Sequence, residues 1–165
     1  MTFGQIFRPG QKSVINKMDC KPSDSVLEIG IGTGLSFKYY PDETKVIGID
    51  ISPHMLAQAK EKIKKDLYIQ RAQEIYPFKE KQFDLVISLG CLHNLRIFEL
   101  EVALKEIERV GKQGYIMLES YRNEKELFNL QCWALTCESF FDHKEWIWIY
   151  NHFGYTGDYE FIYFE

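Results

Sequence analysis

Cysteine is sparse and scattered in this chain. Cys20, Cys91, Cys132 and Cys137 form no C-x-x-C pair, and only the last two lie near each other. That spacing excludes the usual zinc frameworks and any dense disulfide scaffold. A Cys132–Cys137 bridge is also excluded if both sit on one helix, where the rise carries them too far apart. Reduced thiols in a cytoplasmic protein are the expectation. No apolar run approaches the roughly 20 residues that cross a bilayer, and no signal-peptide pattern is present, so no membrane partner is expected. Basic excess is missing too. Lys and Arg number 20 against 24 Asp and Glu, a formal net charge of −4. A nucleic-acid binder usually carries a basic face, so no nucleic-acid partner is expected. The one lysine-rich stretch, Lys60-Glu61-Lys62-Ile63-Lys64-Lys65, reads as the solvated last turn of a helix.

What remains is a globular composition. Of 165 residues, 45% are hydrophobic and 27% charged, enough apolar material for one core. Strand and helix patterns alternate, which predicts an α/β domain with a mostly parallel sheet. Strands are expected at Ser25–Gly30, Lys45–Asp50, Leu67–Arg71, Phe83–Leu89, Tyr115–Glu119 and Tyr159–Phe164. A helix over 11–19 precedes them. Ser52 is a good N-cap, with Pro53 opening a helix to about Lys65. Leu100, Leu104, Ile107 and Val110 define one face of a helix over Phe98–Val110, which Gly111 ends. Further helices are expected over Glu124–Ser139 and Asp142–Phe153, with Asp142 as N-cap and Gly154 as stop.

The segment Val26-Leu27-Glu28-Ile29-Gly30-Ile31-Gly32-Thr33-Gly34 carries the most information. A buried strand runs into a turn with glycine at every second position. Such a turn lets the backbone approach a ligand closely. A dinucleotide fingerprint reads G-x-G-x-x-G; here Leu35 stands where its third glycine belongs. Glu28 would repel a pyrophosphate and attract an ammonium or sulfonium group. Asp50, about 20 residues on from the turn, can accept from two ribose hydroxyls. That element alone fits either NAD or S-adenosylmethionine. The glycine spacing and Glu28 disfavour NAD.

Glu28-Ile29-Gly30-Ile31-Gly32-Thr33-Gly34 resembles motif I of the class I S-adenosylmethionine-dependent methyltransferases. Asp50 matches that family's acidic residue after the second strand, and Phe83-Asp84-Leu85-Val86-Ile87-Ser88 resembles its fourth-strand motif. The resemblance spans about residues 20–120 and implies a three-layer α/β/α sandwich, Rossmann-like. That family's sheet has seven strands, the last antiparallel. This chain is expected to lack or replace the seventh, leaving an apolar edge near 159–164 to be covered by another segment or by a second copy in a homodimer. The whole of 1–165 is expected to be one methyltransferase domain. Its aromatic-rich segment 123–165 would form part of the acceptor pocket or an interface.

The resemblance also implies a cofactor frame for S-adenosyl-L-methionine and its product S-adenosyl-L-homocysteine. Gly30, Gly32 and Gly34 would admit the methionine moiety, and Glu28 would sit near its amino group. Asp50 would hold the ribose. Ile51 and Met55 would flank the adenine, although Met55 reads equally well as a core residue. Many members carry an Asp where this chain has Ala72, so Gln73, Glu74 or backbone atoms would contact the adenine. Ser88 and Leu89 would face the methionine amine through their carbonyls.

Methyl transfer needs a base only when the nucleophile must lose a proton. His93 follows the fourth strand, where this fold opens its active site, and is the candidate base; it could equally cap or pack the next segment. A small-molecule acceptor is expected, with a carbohydrate or secondary-metabolite hydroxyl suggested by the tyrosines and tryptophans of the tail. A non-catalytic cofactor- or partner-binding module is the alternative.

Overall fold

A computed structural model describes residues 14–62 and 66–165. Six strands form one sheet: β1 Ser25–Ile29, β2 Lys45–Asp50, β3 Asp66–Ile69, β4 Phe83–Leu89, β5 Gly111–Glu119 and β6 Asp158–Ile162. Their order across the sheet is β3-β2-β1-β4-β5-β6, and every neighbouring pair is parallel. The helices are α1 Pro53–Lys62, α2 Ile97–Val110, α3 Glu124–Trp133 and α4 His143–Phe153. The α/β class and the parallel sheet are as the sequence predicts.

Strands covered on both faces read as continuous apolar runs. The alternation of β1 shows how the two layers form. Leu27 and Ile29 join the larger cluster with Leu100, Leu104 and Ile107 of α2 and Trp146, Ile149 and Tyr150 of α4. Val26 joins a second cluster on the other face, with Val14, Phe37, Tyr40 and Leu56. The two clusters are the two interfaces of a three-layer sandwich.

Several boundaries differ from the sequence expectation. Of the predicted first helix, residues 14–17 are helical, and 11–13 lie outside the described residues, as do 63–65 of the helix expected to reach Lys65. The fifth strand begins at Gly111 rather than Tyr115, because Phe83 to Leu89 of β4 pair with β5 along its whole length. Gly114 has no side chain to signal a strand. A Cβ there would come within 2.9 Å of the Tyr155 ring. The helix expected to reach Ser139 stops at Trp133. The amides of Glu138 and Ser139 instead donate to the carbonyl of His93 at 3.1 and 3.0 Å. Cys137 therefore lies off the helix, and all four cysteines are free.

Helix α4 starts and stops as expected. Asp142 accepts from the amides of Lys144 and Glu145, and Gly154 closes the helix at φ 77°. Among the described residues the sheet has no antiparallel strand. β6 pairs directly with β5 and forms the sheet edge. Lys17 reaches Glu160 on this edge at 3.1 Å, and the Trp133 ring packs on Phe164 at 4.8 Å.

Candidate cofactor and acceptor site

The strand order reverses between β1 and β4, and ligands of such sheets bind outside the carboxyl ends at that point. The glycine turn follows β1 there. Gly30, Gly32 and Gly34 all have positive φ, at 73°, 56° and 71°. Two of them have separate jobs. A Cβ on Gly30 would fall 2.5 Å from Cys91 Cβ and Sγ, so this glycine lets the loop after β4 close on the turn. A Cβ on Gly32 would meet nothing within 4 Å; this glycine faces open space. Ile31, between them, packs back onto Gly48 of β2, where a Cβ would lie 2.4 Å from Ile31 Cδ1.

Asp50 ties the turn to β2. Its Oδ2 accepts from the Gly32 amide and its Oδ1 from the Ser52 amide, both at 2.8 Å. The amides of Gly30 and Ile31 donate to the Ile49 carbonyl. Each carboxylate oxygen of Asp50 keeps a second lone pair for a hydroxyl donor.

A cavity of about 730 Å³ opens over this frame. Its lining includes Gly30, Gly32, Asp50, Ile51 and Met55. Ile51 and Met55 are 52% and 40% exposed, an apolar lip flanking the space. Ala72 and Gln73 line it as well, and the Gln73 amide donates to Glu99 Oε1 at 3.1 Å. Gly90, Cys91, Asn94, Arg96, Thr136 and Glu138 line the cavity too. Arg96 and Thr136 belong to no sequence motif. Thr136 follows the unexpected end of α3, and its hydroxyl donates to Asn94 Oδ1 at 2.7 Å.

Of the expected site residues, Glu28, Gly34, Ser88, Leu89 and His93 stand off the cavity wall. Gly34 closes the turn by donating to the Ile31 carbonyl at 3.0 Å. Ser88 and Leu89 pair with Ile116 and Met117 of β5, so Gly90 and Cys91 form the wall in their place. Glu28 is buried on the opposite face of β1. Ser36 Oγ lies 2.7 Å from both of its carboxylate oxygens, and the Tyr40 hydroxyl donates to Oε2 at 3.0 Å. Burial pushes the Glu28 carboxyl up to about 7, against the pull of the two hydroxyls.

His93 sits in the 3-10 turn Leu92–Asn94, between wall residues, with its own ring buried. Its Nδ1 lies 2.5 Å from Oε2 of Glu119, a buried carboxylate at the end of β5. Its carbonyl is the anchor for the segment after α3, accepting from Glu138, Ser139 and the Cys137 thiol. Burial holds the Cys91 and Cys137 thiols up, to about 12 and about 11, so neither is a thiolate near neutral pH. Among the described residues no group of three His, Cys, Asp or Glu could hold a metal ion, and no helix is long and apolar enough to cross a membrane.

A nucleoside-sized cavity at the switch point of a parallel sheet, with a glycine turn and an acidic strand end, defines a Rossmann-like ligand-binding domain. The model of a methyltransferase-domain family matches residues 27–118. The chain belongs to that family. A protein of Methanocaldococcus jannaschii is 37% identical over 114 residues, covering 68% of this chain and 42% of its own. Phosphatidylethanolamine N-methyltransferase of Cereibacter sphaeroides is 36% identical over 96 residues, covering 54% and 46%. The 18S rRNA (guanine-N(7))-methyltransferase of Bos taurus is 41% identical over 78 residues, covering 44% and 28%. The chain thus spans less than half the length of each of these relatives. Among solved structures, the YcgJ protein of Bacillus subtilis superposes with a TM-score of 0.74 at 19% identity, over 88% of this chain and 68% of that one. A SAM-dependent methyltransferase from Aquifex aeolicus gives 0.65 at 22% identity, over 87% and 78%. These two likenesses establish the fold.

Proposed function

We propose that this chain transfers a methyl group from S-adenosyl-L-methionine to a small-molecule acceptor, with S-adenosyl-L-homocysteine as the product. The observation that carries the reading is the open space in front of Gly32, bounded by Asp50. A side chain at Gly32 would fill the space where the amino-acid end of the cofactor fits. The remaining donors suit the rest of it. Asp50 has lone pairs for the ribose hydroxyls, and Ile51 and Met55 form an apolar lip for the adenine. Gln73 offers an amide beside Ala72, the position where many family members have Asp. The cofactor supplies an activated methyl group; the protein supplies approach geometry and a dry pocket.

The acceptor enters beside Asn94, Thr136 and Glu138, so the segment 123–165 contributes to its pocket. Their hydroxyl, amide and carboxylate groups suit a polar acceptor, a carbohydrate or secondary-metabolite hydroxyl. The net charge of −4 supports a small molecule over a nucleic acid, although one relative is named for an RNA acceptor. His93 is the base in this reading. Its Nδ1 lies beside the buried Glu119 carboxylate, which can stabilise the imidazolium formed when the ring takes a proton. Four free thiols support a reducing, cytoplasmic compartment. The outer edge of β6 is the surface for a homodimer, which sedimentation over a concentration series tests.

The experiment for the central reading has two stages. Binding of S-adenosylhomocysteine is measured first by calorimetry, and product release is then measured with an acceptor panel. Turnover with a hydroxyl acceptor supports the enzyme. Binding without turnover across the panel points to the non-catalytic module. Folded protein that binds no S-adenosyl compound overturns both.

A further inference from the structure

Glu28 is a motif residue whose place in the fold departs from its expected task. It stands two residues before Gly30, yet its carboxylate is turned into the layer that holds Tyr40. It is 3% exposed and its described partners are two hydroxyls, with no cation among them. A carboxylate buried with neutral partners is costly to keep.

The connections of Glu28 account for its position. Ser36 is two residues past Gly34, and Tyr40 follows the 3-10 turn Phe37–Tyr39. Through these hydroxyls Glu28 joins the strand entering the glycine turn to the segment leaving it. The Ile49 carbonyl holds the start of the turn and Asp50 holds its middle. The Glu28 clasp is the fastening at its exit.

We propose that Glu28 is a positioning residue: it makes no contact with the cofactor and sets cofactor affinity by holding Ser36 and Tyr40, and so the glycine turn, in place. The proposal rests on the cofactor reading above. It makes hydrogen bonding, and not negative charge, the property needed at position 28. Glutamine can preserve the clasp, accepting from Tyr40 and donating to Ser36. Alanine cannot.

The test is the affinity for S-adenosylhomocysteine, by calorimetry, of wild type, Glu28→Gln, Glu28→Ala, Ser36→Ala and Tyr40→Phe, with Tm measured on each. Glu28→Gln is expected to bind within about threefold of wild type. Loss of a hydroxyl partner is expected to weaken binding about three- to tenfold, the effect of one hydrogen bond, and Glu28→Ala by more. If Glu28→Ala fails to fold, the two hydroxyl variants decide. A large loss in Glu28→Gln with Ser36→Ala and Tyr40→Phe unaffected would overturn the proposal and show that the charge meets the cofactor. Lower Tm with unchanged affinity in every variant would overturn it too, leaving Glu28 a purely structural residue. No binding by folded wild-type protein would defeat the cofactor reading itself, a separate result.

Discussion

The Gly32 amide donates to Asp50 Oδ2 at 2.8 Å, so the glycine turn and the carboxyl end of β2 are one mechanical unit. Asp50 therefore has two tasks, shaping the turn and accepting from the ribose. Asp50→Ala is expected to weaken S-adenosylhomocysteine binding by about 1–3 kcal/mol, the range for losing charged hydrogen bonds. Calorimetry checks this. Unchanged affinity would place the ribose elsewhere.

Gly32→Val is expected to abolish binding while the protein still folds. Nothing in the protein lies within 4 Å of the new Cβ, so the side chain projects into the cavity. The φ of 56° costs about 1–2 kcal/mol for a residue with a Cβ. A modest fall in Tm with no detectable binding is the predicted pair of results. Normal binding would mean the cradle is misassigned.

His93→Ala is expected to lower turnover far more than cofactor affinity. Glu119→Gln should lower it less, because the imidazole remains while the neighbouring negative charge is lost. The pH–rate profile of the His93 variant should differ from that of wild type. A profile identical to wild type would remove His93 from the chemistry and leave it the anchor for residues 137–139.

Glu28 gives a pH dependence of stability. Its carboxyl is raised from the ordinary 4.5 to about 7 in the folded protein. The folded state then binds more protons than the unfolded state between those values. The contribution of Glu28 to stability is full below pH 4.5 and is lost as pH rises through 7. Glu28→Gln, which cannot ionise, should escape this loss. Its Tm should gain on wild type between pH 5 and pH 8, by the equivalent of up to about 3 kcal/mol. Parallel Tm curves for the two proteins would contradict the buried, charge-poor setting of Glu28.

Much of this was legible in the sequence, for identifiable reasons. β2 and β4 were bounded correctly because a parallel strand buried on both faces is a continuous apolar run. Asp142 and Gly154 marked α4 through cap chemistry that is local. The amino-terminal half of β5 was not legible, since its signal is the Tyr155 ring filling the space over Gly114, a contact remote in sequence. The end of α3 was hidden for a similar reason: the His93 carbonyl draws the amides of Glu138 and Ser139 out of helical pairing. Gly32 and Asp50 were recognisable from spacing. Spacing points Glu28 at the cofactor's amino group and does not show the hydroxyls that hold its carboxylate instead. Those belong to Ser36 and Tyr40, beyond the turn.

The most direct test of the account is calorimetry of the wild-type protein with S-adenosylhomocysteine and, in parallel, NAD. The early third glycine and the space at Gly32 predict one-to-one binding of S-adenosylhomocysteine and none of NAD. Folded protein that binds NAD, or that leaves S-adenosylhomocysteine free, would contradict it.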